Sequence, residues 1–231
     1  MESLRLCVTD KPKSDQAEQR MRVHRIANSR SAVANENPVA RAAVLMHHRL
    51  MGKTYTSIPP ELRDWLAQQV VFFVATAPLA QEGLINCSPK GGDTFRILGE
   101  HEVAYLDLTG SGIETVAHLQ ENGRIVLMFC AFSGPPKIVR FHGKGVVVYP
   151  DQPDFSRLQS YFPGHAGVRA IVQVMVERIS DSCGHGVPLM SFVARRDLIE
   201  KWSASKGPQG LAEYRATKNR ASIDGIPGYR Q

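Results

Sequence analysis

The chain has 231 residues, of which 43% are hydrophobic, 22% charged and 7% aromatic. This ordinary globular composition excludes collagen-like, coiled-coil and wholly disordered chains. Apolar stretches such as Ile125 to Phe132 fall far short of the ~20 residues a membrane helix needs, so a soluble protein without a membrane partner is expected.

The net charge of +6 is unevenly spread. Residues 1–50 hold nine Lys/Arg against five Asp/Glu, and residues 51–231 hold 19 against 17. The body is therefore nearly neutral, with no basic patch for nucleic acid. Cys7, Cys87, Cys130 and Cys183 are scattered without a C-x-x-C pair or a hydrophobic leader. They are expected to be free thiols in a reducing, cytoplasmic setting.

Residues 1–50 lack strand alternation and core periodicity, and read as a loosely ordered extension. The Met51-Gly52-Lys53 stretch would itself make a plausible start of the chain. From there residues 51–231 read as one domain. Pro59 and Pro60 suit the first turn of a helix through about Gln69. Val70 to Ala75 follows as a strand, and Gly83 to Ser88 as a second, broken by Pro89-Lys90-Gly91-Gly92. Phe95 to Leu98 and Glu102 to Leu108 are further strands. A turn at Thr109 to Gly112 leads into a short helix ending at Asn122-Gly123.

Arg124 to Phe132 is apolar after its first residue and is expected to be buried on both faces. One way to bury both is a partner subunit, so a homodimer is expected. Lys137 to Tyr149 is a long strand whose Gly143 and Gly145 share a face, as where a barrel strand bends or another backbone comes close. Arg169 to Val176 is the last long strand. Two short charged helices, Asp197 to Lys206 and Gly210 to Asn219, close the chain. Many short strands with few helices between them favour a closed antiparallel barrel over an alternating parallel sheet.

Two segments carry candidate chemistry. Thr109-Gly110-Ser111-Gly112-Ile113-Glu114-Thr115 joins a strand to a helix, where close backbone approach and free N–H groups attract a phosphate. On this segment alone it reads more readily as an ordinary turn with Ser111 as helix cap. In Asn86-Cys87-Ser88-Pro89-Lys90-Gly91, alternation puts Asn86, Ser88 and Lys90 on one face. That face suits an anionic, hydrogen-bonding ligand, or is simply solvated. Arg140, His142 and Lys144 share another face, the pattern of a wet outer surface. Cys183 and His185 lie in one glycine-rich loop but make half a zinc site at best, so no metal is expected.

At these residues the chain resembles the pyridoxamine 5′-phosphate oxidase-like superfamily of FMN-binding split barrels. The similarity is to a branch marked by segments like Ile85 to Gly91, Leu108 to Gly112 and Ser180 to Pro188, and it covers about residues 52–228. It implies a mainly β fold with peripheral helices, a six-stranded antiparallel split barrel that dimerises with FMN at the subunit interface. Carried over, it places Ser88, Lys90, Ser111 and Gly112 around the flavin phosphate. Asn86 would lie near the isoalloxazine or ribityl chain, and Thr115 on the first helical turn beside them. Relatives often have a Ser-Arg or Ser-Lys pair where this chain has Ser111-Gly112 and then Glu114, which removes a positive charge. The C-terminal pattern by which true pyridoxamine phosphate oxidases grip their substrate is not recognisable, so vitamin B6 synthesis is not expected. The implied activity is an FMN-dependent oxidoreductase acting on a small molecule, with no catalytic residue assigned. The alternatives are a flavin- or haem-binding module, with His142 or His185 as axial ligand, and a deazaflavin-dependent reductase.

Overall fold

The computed structural model describes residues 52–229; the extension expected over 1–50 lies outside them. A two-residue strand, β1 (Thr54–Tyr55), precedes helix α1 (Pro60–Ala67), which buries Leu62 and Leu66. Then come β2 (Val71–Thr76), β3 (Asn86–Gly91), β4 (Phe95–Ile97) and β5 (Glu102–Leu108). Helix α2 (Glu114–Asn122) stops at Gly123, whose φ of 70° is a left-handed turn that glycine enters without a Cβ clash. Strands β6 (Arg124–Cys130) and β7 (Ile138–Val148), helix α3 (Pro153–Gln159), strand β8 (Val168–Ser182) and helix α4 (Leu198–Lys218) complete the order. Within α4, Gly207 at φ 64° followed by Pro208 interrupts the helix, which yields the two helical stretches expected from the sequence.

The strands form one antiparallel sheet in the order β3-β2-β6-β7-β8-β5-β4, with β1 paired to β8. The expected six strands are therefore corrected to eight, seven of them along the main path. Strand β8 runs for 15 residues rather than stopping at Val176. Its length lets one edge take β5 as far as Met175 and then β1 at Ile179 and Ser180. Its continuation is hard to read in sequence because a bulge at Glu177 breaks the two-residue period: His142 faces Arg178 while Gly143 faces Val176. Residues 153–159 also form a helix that the strand pattern does not announce, although Pro153 at its start suits a first turn.

Although β3 and β4 end the path at opposite sides, only Gly92 to Thr94 separate them in sequence. The sheet therefore has to curl. Phe95 of β4 packs 5.4 Å from Phe72 of β2 and 5.0 Å from Phe129 of β6, ring centre to ring centre. The interior is filled by these rings with Val74, Tyr105, Leu127, Phe141 and Val172. The result is a mainly β split barrel with helices at its periphery. Strand β3 is not broken at Pro89 but runs on to Gly91. It is an edge strand paired only with β2, and an edge tolerates a residue that has no N–H to donate. Among the described residues no helix is long and apolar enough to cross a membrane.

From Ile125 to Phe129 strand β6 alternates between buried and half-buried positions, so the expected burial on both faces is corrected: the described chain covers the inner face fully and the outer face in part. On the outer side Phe73 pairs with Met128 and Ala75 with Val126, next to Pro89 and Cys87 of β3. Gly143 is needed where β7 passes β8, because a Cβ there would lie 2.0 Å from the Met175 carbonyl oxygen. Gly143→Ala is expected to destabilise the fold by about 2–3 kcal/mol, as overpacking a tight interior does. Urea unfolding checks this, and an unchanged midpoint would show that the two strands separate at little cost.

Candidate functional site

A cavity of about 870 Å³ is lined by the ends of β3 and β5, the start of α2, the loop before β8 and residues 192–200. Its polar wall is built by three strands. Asp107, fully buried, belongs to β5 and lies on the core-facing side with Val103 and Tyr105. Arg169 is the extra residue of a bulge in β8: Asp107 pairs with Ala170, and the next residue, Leu108, with Val168. A bulge re-aims its side chain. The Arg169 Nε donates to Asp107 Oδ2 at 2.7 Å, and one terminal nitrogen donates to the Gly112 carbonyl at 3.0 Å. The other terminal nitrogen makes no hydrogen bond to a described residue.

From the edge strand β3, the Lys90 ammonium lies 3.7 Å from Asp107 Oδ1, beyond hydrogen-bond length. Burial alone would raise the Asp107 pKa, but the Arg169 guanidinium and then the Lys90 ammonium outweigh it. The carboxyl is held below its usual value and stays ionised. The three charges together leave one net positive charge facing the cavity. The Tyr105 hydroxyl is buried and unpartnered among the described residues, and burial followed by the Asp107 charge pushes its pKa well up.

The sequence-predicted residues divide into two groups. Ser88, Lys90, Gly112 and Thr115 line the cavity together. Asn86 stands behind them: its amide nitrogen donates to Thr115 Oγ1 at 3.0 Å and Thr76 Oγ1 at 3.2 Å, and its oxygen accepts from the Ser88 hydroxyl at 2.9 Å. The chain of bonds continues from Thr76 to buried His118 Nδ1 at 3.0 Å. Ser111 is exposed and is not among the lining residues. The reading of Ser111 as helix cap is corrected, because α2 begins after Ile113 and no side chain caps it.

Helix α4 holds the glycine-containing loop from outside. Arg215 Nε donates to Thr109 Oγ1 at 2.9 Å, and the Asn219 amide donates to the Gly110 carbonyl at 2.8 Å. Phe192, Ala194, Arg195 and Arg196 bring a further wall from the segment after β8. His142 lies on the outer face of β7, where burial, then Arg178 and Arg140, lower its pKa; neither it nor His185 lines the cavity.

Asp107 and Arg169 are absent from the sequence-predicted set. A signal for them exists: each is a charge flanked by apolar residues in its strand, and a buried charge needs an opposite one. Finding both would have suggested the pair.

The comparisons extend over the same elements. A family model described as pyridoxamine 5′-phosphate oxidase matches residues 58–183, which include Ser88, Lys90, Asp107, Gly112, Thr115 and Arg169. The pyridoxamine 5′-phosphate oxidase family protein ustO of Aspergillus flavus is 35% identical over 193 residues, covering 75% of this chain and 76% of that protein. Similar solved structures are more distant. HupZ of Group A Streptococcus is 23% identical with a TM-score of 0.43, over 54% of this chain and 98% of that one. A FAD-binding protein of Mesorhizobium loti is 14% identical with a TM-score of 0.41, over 56% and 96%. The match from Ile58 to Cys183 takes in every strand that builds the cavity wall, and the chain belongs to the pyridoxamine 5′-phosphate oxidase family.

Proposed function

We propose that this protein is a cytoplasmic, homodimeric oxidoreductase that binds FMN in the cavity and acts on a small molecule. The observation that carries the reading is the buried Arg169, which commits two nitrogens to Asp107 and Gly112 and keeps a third uncommitted among the described residues. With Lys90 beside it, this is a pre-organised donor set with one net positive charge, suited to a phosphate. Thr115, whose hydroxyl accepts from Asn86 and keeps its own proton to donate, adds to this set, and Gly112 lets the backbone approach closely. Val71, Leu106, Leu108 and Phe192 supply apolar wall for a flat ring system. The donor set thus fits the phosphate end of FMN and the apolar wall fits its ring.

When bound, the flavin supplies the two-electron acceptor, which no protein side chain provides. The chain's own residues hold and orient. Asp107 fixes the Arg169 fork, and Arg215 and Asn219 fix the loop that carries Gly112. The network from His118 through Thr76 to Asn86 spends the Ser88 hydroxyl proton on Asn86, so Ser88 presents lone pairs to a ligand donor.

The dimer proposal rests on the apolar outer strip of Phe73, Ala75, Val126 and Met128, which a second subunit would cover. The cytoplasmic proposal rests on Cys87, Cys130 and Cys183, all of them free.

One experiment tests the set. The full-length protein is purified, its visible spectrum recorded, any released ligand identified by mass, and the same sample sedimented. The expected result is the two visible flavin bands, FMN by mass and a dimer at micromolar concentration. A Soret band would assign a haem-binding module instead. A colourless protein that takes up a deazaflavin but not FMN would assign the reductase alternative. A monomer would remove the dimer.

A further inference from the structure

We propose that Glu114 is a specificity-determining residue that acts as an anion filter, limiting the cavity to ligands with one phosphate and no second anionic group beside it. The inference rests on the reading of the cavity as a phosphate site and adds a residue working against that attraction.

Glu114 belongs to the first turn of α2 and lines the same cavity as Lys90 and Arg169. Its carboxylate is folded back over the loop, with Oε2 2.7 Å from where a Cβ on Gly112 would stand. The carbonyl of that same Gly112 accepts the Arg169 hydrogen bond at 3.0 Å. Carboxylate and guanidinium thus each lie against Gly112. Because no side chain caps α2, the positive end of the helix is answered by this carboxylate, in a favourable position for it.

Two consequences follow from the charges. Lys90, Arg169 and Asp107 leave one positive charge, Arg195 and Arg196 balance Asp93 and Glu200 elsewhere in the lining, and Glu114 cancels what remains. The cavity thus offers strong directional donors within a neutral surround, so a phosphate is held by geometry more than by net attraction. The helix start, an anion site in many proteins, here has a carboxylate in its own first turn. A further phosphate or carboxylate on the ligand near that point meets repulsion. A side chain at Gly112 would push the Glu114 carboxylate aside, a shift its flexible end can make.

The test uses the full-length protein and Glu114→Gln, which keeps the shape and removes the charge. FMN affinity is expected to rise roughly three- to tenfold, the range for a charge acting at a helix end. Riboflavin, without a phosphate, is expected to stay within about twofold of its original affinity. The FMN gain should shrink at high salt, which screens a charge effect but not a packing one. Glu114→Asp retains the charge and is expected to leave FMN affinity close to that of the unmodified protein. Melting curves with inorganic phosphate and with pyrophosphate provide a readout without flavin. Both anions should raise the melting temperature more in Glu114→Gln, pyrophosphate by the larger increment.

A weaker or unchanged FMN affinity in Glu114→Gln, or equal gains for FMN and riboflavin, would overturn the inference. Equal melting shifts in the two proteins would do so as well. If neither protein binds FMN, the flavin reading fails, and the phosphate and pyrophosphate shifts still decide the role of Glu114.

Discussion

Arg169→Leu lowers the stability of the fold by about 3 kcal/mol, the low end of the cost of breaking a buried ion pair by removing one partner. For a domain of this size the melting temperature falls by roughly 6–12 °C. The cause is the carboxylate left behind. Asp107 is fully buried, loses its 2.7 Å partner and retains only Lys90 at 3.7 Å. Replacing both Arg169 and Asp107 with Leu should recover much of the loss, since an apolar pair needs no compensating charge. The pH dependence has a definite sign. In the unmodified protein Asp107 is held below its usual value, so its contribution is present above about pH 4 and lost as pH falls through the depressed value. In Arg169→Leu the main charge that held it down is gone and burial favours the neutral acid. The stability gap between the two proteins therefore narrows in acid. Denaturant melts at neutral pH and near pH 3 measure both effects. A gap that is constant with pH would mean that the ionised pair is not what Arg169 contributes.

Lys90→Ala weakens FMN about ten- to a hundredfold, the loss of one charge-assisted hydrogen bond worth roughly 1.5–3 kcal/mol. Riboflavin binding hardly changes, because the missing ammonium faces a phosphate that riboflavin lacks. From the sequence, Lys90 is expected to be the one strand-borne positive charge of the cradle. The structure adds Arg169 from β8, which places the Lys90 effect toward the lower part of that range. Ser111→Ala serves as the control: the side chain is exposed and is not one of the lining residues, so it leaves both affinities close to the original. Parallel titrations of both flavins against both variants, with melting curves to verify folding, decide the point. Equal losses of FMN and riboflavin in Lys90→Ala would remove it from the phosphate site.

Much of the architecture is legible along the chain because it depends on local pattern. The strand from Glu102 to Leu108 follows from a short, mostly apolar run ending at a glycine turn, and the helix stop at Gly123 from a left-handed cap. The paired glycines of β7 announce a close approach, and the Cβ clash at Gly143 with Met175 is that approach. The shared face of Asn86, Ser88 and Lys90 follows from the period of two. Other features depend on residues far apart in sequence. Pro89 is tolerated within β3 only because that strand forms an edge, and an edge is a property of the assembled sheet. The two-residue β1 is too short to show a pattern and exists because β8 has length to spare.

The site shows the same division. Ser88, Lys90, Gly112 and Thr115 belong to segments whose local pattern already suggests a ligand. Asp107 and Arg169 are 62 positions apart. Only the bulge in β8 turns Arg169 toward Asp107, and such a bulge leaves no mark in a run of apolar residues. Ser111 looked like the natural cap, but the backbone starts its helix after Ile113 and leaves the serine outside. Sequence by itself determined the barrel class and the polar face of β3, because alternation and glycine placement are local. Tertiary structure alone decided which charges meet in the cavity, because a buried ion pair is set by sheet order and register and not by neighbours in the chain.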